Sequence, residues 1–215
     1  MVNSEFTKTW VRKRWGIDAH VVYVYASLSG GSWDPAAKKP VILSVSRFQE
    51  EKAQDHVLEA FREMEPEGWE LVLAGHAYDK AYVDRLRKRA ASFDVRFELE
   101  PSAEGLRRLY REASIFWHLR GMDEENVPDG LEHFGLVVVE AMSHGAVPVV
   151  YDGGGHPEIV VDRTGFLISE PSELIFVTKT LIESEPVRHA AAEAAVARST
   201  VFNKDRFDAG VRALL

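Results

Sequence analysis

From residue 40 onward, short apolar runs alternate with segments of helical periodicity. The clearest helical segment spans 52–64, where Val57, Leu58, Phe61 and Met64 recur at the spacing of one helix face. The apolar runs predict strands: VILSVS (41–46), WELVLAG (69–75), VRFEL (95–99), SIFWHL (114–119), AVPVVYD (146–152) and GFLIS (165–169). Apolar strands separated by helices are typical of a parallel sheet that is covered on both faces. With right-handed crossovers, the pattern predicts an α/β fold, a Rossmann-like doubly wound parallel sheet with helices on both faces.

A further helix is expected behind the second strand, because Tyr78, Tyr82 and Leu86 repeat every four residues. The polar stretch 120–131, RGMDEENVPDGL, interrupts the alternation with acidic residues, proline and glycine. Long loops of this kind inside α/β domains are often functional. We therefore interpret it as a candidate mobile rim of a site.

The first 39 residues do not follow the strand and helix alternation. Residues 3–16 predict a capped helix, with Asn3 or Ser4 at its start and Gly16 after its end. Residues 26–40 are rich in Gly, Ser, Pro and Ala, the composition of a linker or an exposed loop. We divide the chain into residues 1–39, the tail of a preceding unit with a linker, and residues 40–215, the Rossmann-like domain.

Composition narrows the class of protein. The 215 residues carry a net charge of -8 and no cysteine, which excludes disulfides and thiolate metal ligands and fits a reducing compartment. No apolar run reaches the roughly 18 residues of a membrane span. The negative charge argues against binding nucleic acid. We expect a cytoplasmic protein with no transmembrane segment and no nucleic-acid partner.

Two carboxylates, Glu132 and Glu140, bracket an almost wholly apolar segment. On a helix that starts near Gly135, Glu140 shares a face with Leu136 and Val137. A carboxylate there is costly unless it has a partner or faces a crevice. Two alternatives stay open: an ordinary helix-surface glutamate, and a glycosidase-like acid and base pair, whose carboxylate separation no sequence supplies.

Three loops after predicted strands carry residues suited to an anionic ligand. Arg47 and Lys52 follow the first strand, and both cations can meet a phosphate. The glycine run 153–155 follows the fifth strand and lets backbone approach a ligand closely. The segment EHFG (132–135) precedes a helix whose N-terminal amides favour an anion or sugar hydroxyls. Since ligands bind at the carboxyl ends of parallel strands, the loops predict one cleft for a nucleotide diphosphate attached to a polyhydroxylated group.

A metal site is not favoured. The histidines in this half of the chain are His118, His133, His144 and His156. They lack paired helical or hairpin spacing, and there are no cysteines to complete a site. Polar or ligand-lining histidines are the favoured interpretation.

Four segments in this order resemble one known family. They are ILSVSRFQEEKAQDHVLEAF, ELVLAGHAYDKAYVDRL, EHFGLVVVEAMSHGAVPVV and GGGHPEIVVDRTGFLI. They resemble the C-terminal, donor-binding domain of retaining glycosyltransferases of the GT-B fold, the group often called glycosyltransferase family 4. The resemblance runs from about Pro40 to the end of the chain. It implies that residues 1–39 are the last segment of the N-terminal GT-B domain and the interdomain connection, the rest of that domain being missing from this chain.

The resemblance implies three catalytic residues. Arg47 and Lys52 would hold the diphosphate of a nucleotide-sugar donor and offset the charge that develops on it as the glycosidic bond breaks, with no obligatory metal or other cofactor. Glu132 would lie beside the donor sugar.

Further positions would bind the donor. The amides of Phe134, Gly135 and Leu136 would lie near the sugar hydroxyls and the diphosphate, and Glu140 would take the ribose hydroxyls. The nucleotide base of the donor would bind near GHAY (75–78) and FELEPS (97–102). The remaining donor-binding positions implied are Gly75 and Ser46, the latter standing where many relatives have glycine.

The function implied is transfer of a sugar from a nucleotide-diphosphate sugar to an acceptor with retention. This chain would supply the donor-binding domain and would be inactive in isolation. The sugar, the base and the acceptor, whether glycan, lipid or small molecule, stay open, as does peripheral membrane association of the full-length protein. A stand-alone nucleotide-binding module, an inactive GT-B fragment and a nucleotide-sugar epimerase are the alternatives.

Overall fold

Six parallel strands form one sheet in the part of the chain that the structure describes. The computed structural model describes residues 1–27, 33–122 and 130–215. The strands are β1 Lys39–Val45, β2 Glu70–Gly75, β3 Val95–Leu99, β4 Ala113–His118, β5 Val147–Tyr151 and β6 Phe166–Ile168. All six predicted strands are confirmed, with small shifts at their ends.

The order of the strands is β3-β2-β1-β4-β5-β6. The chain moves outward from β1 to β3, returns to the other side of β1, and moves outward again to β6. Between β1 and β4 the direction reverses, so the loops after these two strands diverge and leave a crevice at their carboxyl ends. The predicted Rossmann-like doubly wound parallel sheet is confirmed.

Helices cover both faces of the sheet. Those in the described residues are α1 Glu5–Trp15, α2 Gln54–Met64, α3 Lys80–Ala90, α4 Ala103–Glu112, α5 Leu136–Ser143, α6 His156–Ile159, α7 Pro171–Glu183, α8 Glu185–Ser199 and α9 Lys204–Arg212. Short 3-10 turns lie at Pro35–Ala37, Glu50–Lys52 and Thr200–Phe202.

The core consists of two apolar layers, one on each face of the sheet. Neighbouring residues of a strand enter different layers: Ile42 joins the layer that contains Val57 of α2, whereas Leu43 joins the layer that contains Val139 of α5. Every residue of β4 is buried. Because both faces are covered, the inner strands β4 and β5 read as nearly continuous apolar runs, whereas the half-buried edge strand β3 alternates apolar residues with Arg96 and Glu98.

The prediction that Tyr78 belongs to the helix with Tyr82 and Leu86 is wrong. The side chain of Asp79 accepts a hydrogen bond from the backbone N–H of Tyr82 at 3.0 Å, which caps α3 and makes Lys80 its first residue. Tyr82 and Leu86 are buried as the periodicity predicts, but Tyr78 precedes the helix and is 63% exposed.

The N-terminal helix has the predicted caps. The Ser4 hydroxyl accepts the N–H of Thr7, and Gly16 ends α1 in the left-handed conformation. Val2 pairs with Val21, which ties both sides of α1 together. The domain division at residues 39 and 40 stays a prediction, and residues 28–32 of the expected linker and 123–129 of the expected rim lie outside the described residues.

Gly75 allows β1 and β2 to approach at their carboxyl ends. The N–H of Ser46 donates to the Ala74 carbonyl at 3.0 Å. A Cβ on Gly75 would lie 1.9 Å from the Ser46 carbonyl oxygen, and Gly75 has a φ of +149°, a region that L side chains avoid. Glycine at this position therefore lets the backbone of Ser46 reach the crevice.

Replacing Gly75 by alanine should destabilise the fold far more than the same change at Gly68. Gly68 has a φ of +74° and open space around its missing Cβ, so Gly68→Ala should cost only the backbone strain, about 1 kcal/mol. Gly75→Ala adds a clash with backbone that no side chain can relieve and should cost at least about 2 kcal/mol more. The free energy of unfolding in urea measures both, and equal losses would contradict the packing of β1 on β2.

Candidate functional site

A cleft lies at the carboxyl end of the sheet, over the junction of β1 and β4. Ser46, Arg47 and Lys52 border it from the segment after β1, and His118 borders it from the end of β4. Residues 132–137, the EHFG loop (132–135) and the first residues of α5, border it from the other side. This is the position at which doubly wound sheets bind ligands.

Glu132 brings together partners from separate elements. Its side chain is 18% exposed, and its Oε2 lies 3.3 Å from the Lys52 Nζ and 3.3 Å from the His118 Nε2. A guanidinium nitrogen of Arg120 lies 3.9 Å from the same oxygen. The side chains of Lys52 and His118 are themselves almost fully buried. A carboxylate withdrawn from water is stable only with partners of this kind.

The electrostatics of this group favour an ionised Glu132. Burial by itself would raise the pKa of Glu132. The hydrogen bond to His118, the charge of His118 and the charge of Lys52 act in the opposite direction, and together they hold the pKa of Glu132 well below its usual range. Burial lowers the pKa of Lys52, and the neighbouring Glu132 opposes that shift. The cleft therefore contains a permanent anion next to a desolvated cation.

His156 supports His118 from behind. It is fully buried, its Nδ1 donates to the Tyr151 carbonyl at 2.9 Å, and its ring meets the His118 ring edge to face at 5.2 Å. Its Nε2 has no hydrogen-bond partner among the described residues. Burial, with the charge of His118, lowers the pKa of His156 to about 3. His156 is therefore neutral at pH 7, and the tautomer is set by its bond to a carbonyl.

Two glycines of the run 153–155, Gly154 and Gly155, pack against the backbone of the EHFG loop. A Cβ on Gly154 would lie 2.0 Å from the Glu132 carbonyl oxygen, and one on Gly155 would lie 2.6 Å from the His133 carbonyl oxygen. The N–H of Gly155 donates to the Glu132 carbonyl at 2.7 Å. The close approach at Gly154 and Gly155 is made by the backbone of the EHFG loop, and the approach of a ligand to the glycine run stays a prediction.

The EHFG loop leads directly into α5. Gly135 has a φ of +109° at the start of this helix, and a Cβ there would lie 3.2 Å from the His156 ring. The side chain of Phe134 is buried and stacks on Tyr23, so only its backbone can serve a ligand. Leu136, which begins α5, is partly exposed at the cleft.

Arg47 is the accessible cation of the cleft. Its side chain is 53% exposed, lies 3.8 Å from Glu51, and sits over the Tyr78 ring at 5.9 Å. Ser46, beside it, accepts a hydrogen bond from the Gln54 Nε2 at 2.6 Å. Such a weakly held guanidinium can turn to an anionic ligand at little cost.

The chain is similar in sequence to proteins of one known family. Residues 31–198 match the family model for "Glycosyl transferases group 1". The chain belongs to the group 1 glycosyltransferases. A curated relative from Dictyostelium discoideum, "GDP-Man:Man(3)GlcNAc(2)-PP-Dol alpha-1,2-mannosyltransferase", is 31% identical over 200 residues, which is 80% of this chain and 38% of that protein.

Other relatives agree on the family and the fold. A "Glycogen synthase" of Chlorobium phaeobacteroides is 27% identical over 148 residues, 66% of this chain and 29% of that protein. The crystal structure of Anabaena Alr3699/HepE in complex with UDP-glucose superimposes with a TM-score of 0.81 at 22% identity, covering 99% of this chain and 62% of that one. The GT-B fold expected from the sequence is confirmed, and this group 1 glycosyltransferase chain spans less than two-fifths of the length of these two curated relatives.

Glu140 of this group 1 glycosyltransferase does not border the cleft. It is 7% exposed, and its Oε2 accepts a hydrogen bond from the buried Tyr110 hydroxyl at 3.0 Å. The carboxylate in the apolar segment thus has a protein partner. Gly75 also lies behind Ser46 instead of at the border of the cleft. The ribose-binding role of Glu140 and the donor-binding role of Gly75 stay predictions.

The structure brings together the other predicted positions and adds three. Ser46, Arg47, Lys52, Glu132, Phe134, Gly135 and Leu136 all border the cleft. His118 and Arg120 join them as partners of Glu132, and Asn3 joins them from the segment before α1. The signal for His118 was available, because it lies next to the end of the predicted strand 114–119, at the edge of the sheet where Arg47 follows the first strand. Nothing in the sequence pairs Asn3 with a loop so far along the chain.

Two further features concern only the described residues. No group of three or more histidine, aspartate or glutamate side chains lies close enough there to hold a metal ion. None of the helices found there has both the length and the apolar character needed to cross a membrane.

The stability of this group 1 glycosyltransferase should fall on acidification through a window set by His156. The folded state resists protonation of His156 down to pH about 3, whereas the unfolded chain binds that proton near pH 6.5. Between these values the unfolded state holds more protons, so stability falls as the pH drops. The expected slope is about 1.4 kcal/mol per pH unit below pH 6.5.

The measurement compares urea unfolding at pH 7, 6 and 5 for the wild type and His156→Asn, in which an amide N–H can still donate to the Tyr151 carbonyl. The variant should lose less stability over this range. His189→Asn, which alters an exposed histidine beside Glu193, is the matched control. Parallel profiles for the wild type and His156→Asn would contradict a buried neutral His156.

Proposed function

We propose that the chain binds a nucleotide-diphosphate sugar and supplies the donor-binding part of a retaining glycosyltransferase. One observation carries the proposal: two cations, an ionised glutamate and the start of a helix converge at the switch point of the sheet. This arrangement matches the donor's own chemistry, an anionic diphosphate joined to a hydroxylated ring.

Arg47 and Lys52 are the proposed diphosphate ligands. Arg47 can form two parallel hydrogen bonds to a phosphate, and Lys52 supplies a point charge. When the glycosidic bond breaks, its electron pair goes to the oxygen of the leaving diphosphate. The two cations offset that charge, and we propose that they do so without an obligatory metal. Lys52 lies 3.3 Å from Glu132, so phosphate binding would share this ammonium between two anions.

Glu132 is the proposed neighbour of the donor sugar. Its pKa is held well below its usual range, so it is an anion throughout the physiological pH range. Departure of the diphosphate leaves positive charge on the sugar ring, and a fixed carboxylate nearby stabilises it. Retention is part of the proposal and rests on the resemblance to retaining GT-B enzymes.

The remaining donor contacts are proposed from position. The amides of Phe134, Gly135 and Leu136 begin α5 and carry the partial positive charge of a helix start. Ser46 and Gly75 lie where β1 and β2 end, and the base is proposed to lie beyond them near residues 75–78 and 97–102. Glu140 is the proposed ribose ligand, oriented by its hydrogen bond from Tyr110.

A further domain is proposed to bind the acceptor. The chain covers 38% of the Dictyostelium mannosyltransferase and 62% of the Anabaena protein. Closure of two domains over the donor is a common way to exclude water and complete a site. The proposed partners are thus a nucleotide sugar, an acceptor and an N-terminal GT-B domain, in a cytoplasmic setting that the lack of cysteine favours.

Nucleotide binding is the direct test. Calorimetric titration with UDP, GDP and ADP should show binding of at least one nucleotide, and Arg47→Ala should weaken it by at least about tenfold, equivalent to about 1.4 kcal/mol. Glu140→Gln, which keeps the shape of the side chain, should also weaken binding if Glu140 holds the ribose.

The matched control is Arg62→Ala. Arg62 lies over the Phe93 ring at 5.0 Å, much as Arg47 lies over Tyr78, but it belongs to α2 and does not border the cleft. Unchanged affinity in this variant would assign the loss at Arg47 to the cleft. Absence of binding by all three nucleotides would refute the donor-binding proposal.

The isolated chain should bind donor yet transfer little sugar. Incubation with UDP-glucose and GDP-mannose, followed by chromatography of released UDP or GDP and of labelled sugar on simple glycan acceptors, measures this. We expect transfer close to background, because the proposed acceptor-binding domain is not part of the chain. Efficient transfer would contradict the requirement for a further domain, and release of free nucleotide without a glycosylated product would favour the epimerase alternative.

A further inference from the structure

The N-terminus of α1 is held by the carboxylate of Glu158, which belongs to α6. The two Glu158 side-chain oxygens accept the backbone N–H groups of Glu5 and Phe6, each at 2.8 Å. These amides have no partner within the helix, and a carboxylate is the ligand that a helix N-terminus favours. Arg198 of α8 contacts α6 as well, because its guanidinium donates to the Glu158 carbonyl at 2.6 Å. The start of α1 is therefore fixed to α6 and α8.

Ser4, directly before α1, connects this helix to the EHFG loop. Its side chain is fully buried, accepts the N–H of Thr7 at 3.0 Å, and lies 2.7 Å from the His133 carbonyl oxygen, to which it donates. The Phe6 ring stacks on the His133 ring at 6.2 Å. Since a carbonyl can only accept, the Ser4 hydroxyl is the donor in this contact, which joins the loop to a residue 129 positions earlier.

The same loop is held from its other side by the glycine run. The N–H of Gly155 donates to the Glu132 carbonyl at 2.7 Å, one residue before the carbonyl that Ser4 binds. Two consecutive carbonyls of the EHFG loop are thus occupied by donors from two elements, both of which Glu158 connects. Asn3, next to Ser4, borders the cleft itself.

We propose that Ser4 and Glu158 are positioning residues of the cleft, which hold the EHFG loop so that Glu132 and the amides that begin α5 face a bound nucleotide diphosphate. This rests on the proposed function. Glu158 acts through α1, and Ser4 acts on the His133 carbonyl. Glu158 also occupies the N-terminal amides of α1, which would otherwise compete with the start of α5 for an anion.

The test uses the full chain with Ser4→Ala, Ser4→Thr, Glu158→Ala and Glu158→Gln. Titration with UDP, GDP and ADP measures affinity, and hydrogen exchange followed by mass spectrometry measures protection of residues 130–139. Ser4→Ala and Glu158→Ala should each weaken the binding of the preferred nucleotide at least fivefold and speed exchange in this segment. Ser4→Thr, which keeps the hydroxyl, and Glu158→Gln, which keeps one acceptor, should show smaller effects.

Ser184→Ala is the matched control. Ser184 caps α8 in the same way, accepting the N–H of Val187 at 3.5 Å, but it borders neither the cleft nor the proposed base-binding segments. It should lower stability by about 1 kcal/mol, the usual cost of a lost cap, and leave affinity and loop exchange within twofold of the wild type.

Each outcome decides the proposal. If Ser4→Ala and Glu158→Ala lower only the stability, as expected for Ser184→Ala, the positioning role is overturned. If the wild type binds no nucleotide, the proposed function fails, and the exchange data alone decide whether Ser4 and Glu158 hold the loop. Exchange unchanged in both alanine variants would then overturn the inference.

Discussion

The burial of the Glu132 carboxylate is the constraint on which the cleft depends. An ion that is withdrawn from water must recover the lost hydration from nearby donors and cations. Glu132 recovers it from Lys52 on the segment after β1 and from His118 and Arg120 at the end of β4. Because these partners come from the two strands that flank the switch point, ionisation of Glu132 holds both sides of the cleft at a set separation.

Backbone packing fixes the loop that carries the Glu132 carboxylate. Glycines at 154 and 155 let the loop after β5 lie against the carbonyls of Glu132 and His133 without any side chain between them. Ser4 reaches the same loop from the N-terminal segment. The EHFG loop is therefore enclosed by main chain and by one buried hydroxyl, which leaves few conformations open to it. A site that must present amides and a carboxylate to a ligand gains from such preorganisation.

The division of labour between the two cations follows from their surroundings. Lys52 is almost fully buried and paired with Glu132, whereas Arg47 is about half exposed and only loosely associated with Glu51 and Tyr78. For the proposed donor complex, this difference suits Arg47 to first contact with the anion and Lys52 to stabilisation of charge in a drier environment. Glu140, unlike Glu132, does not border the cleft: its buried carboxylate accepts a hydrogen bond from the Tyr110 hydroxyl.

The sequence by itself determined the positions of the strands along the chain, the doubly wound sheet, the placing of Arg47 and Lys52 after the first strand, and the placing of Glu132 just before a helix. These depend on local periodicity and on the rule that ligands bind where parallel strands end. Only the tertiary structure decided which groups meet: Lys52 and Glu132 are 80 residues apart, and Ser4 and His133 are 129 residues apart. It also showed that the glycine run accommodates the protein's own backbone. Hydrogen bonds and close approaches between remote segments depend on the paths of several loops at once, and no local pattern of residues encodes those paths.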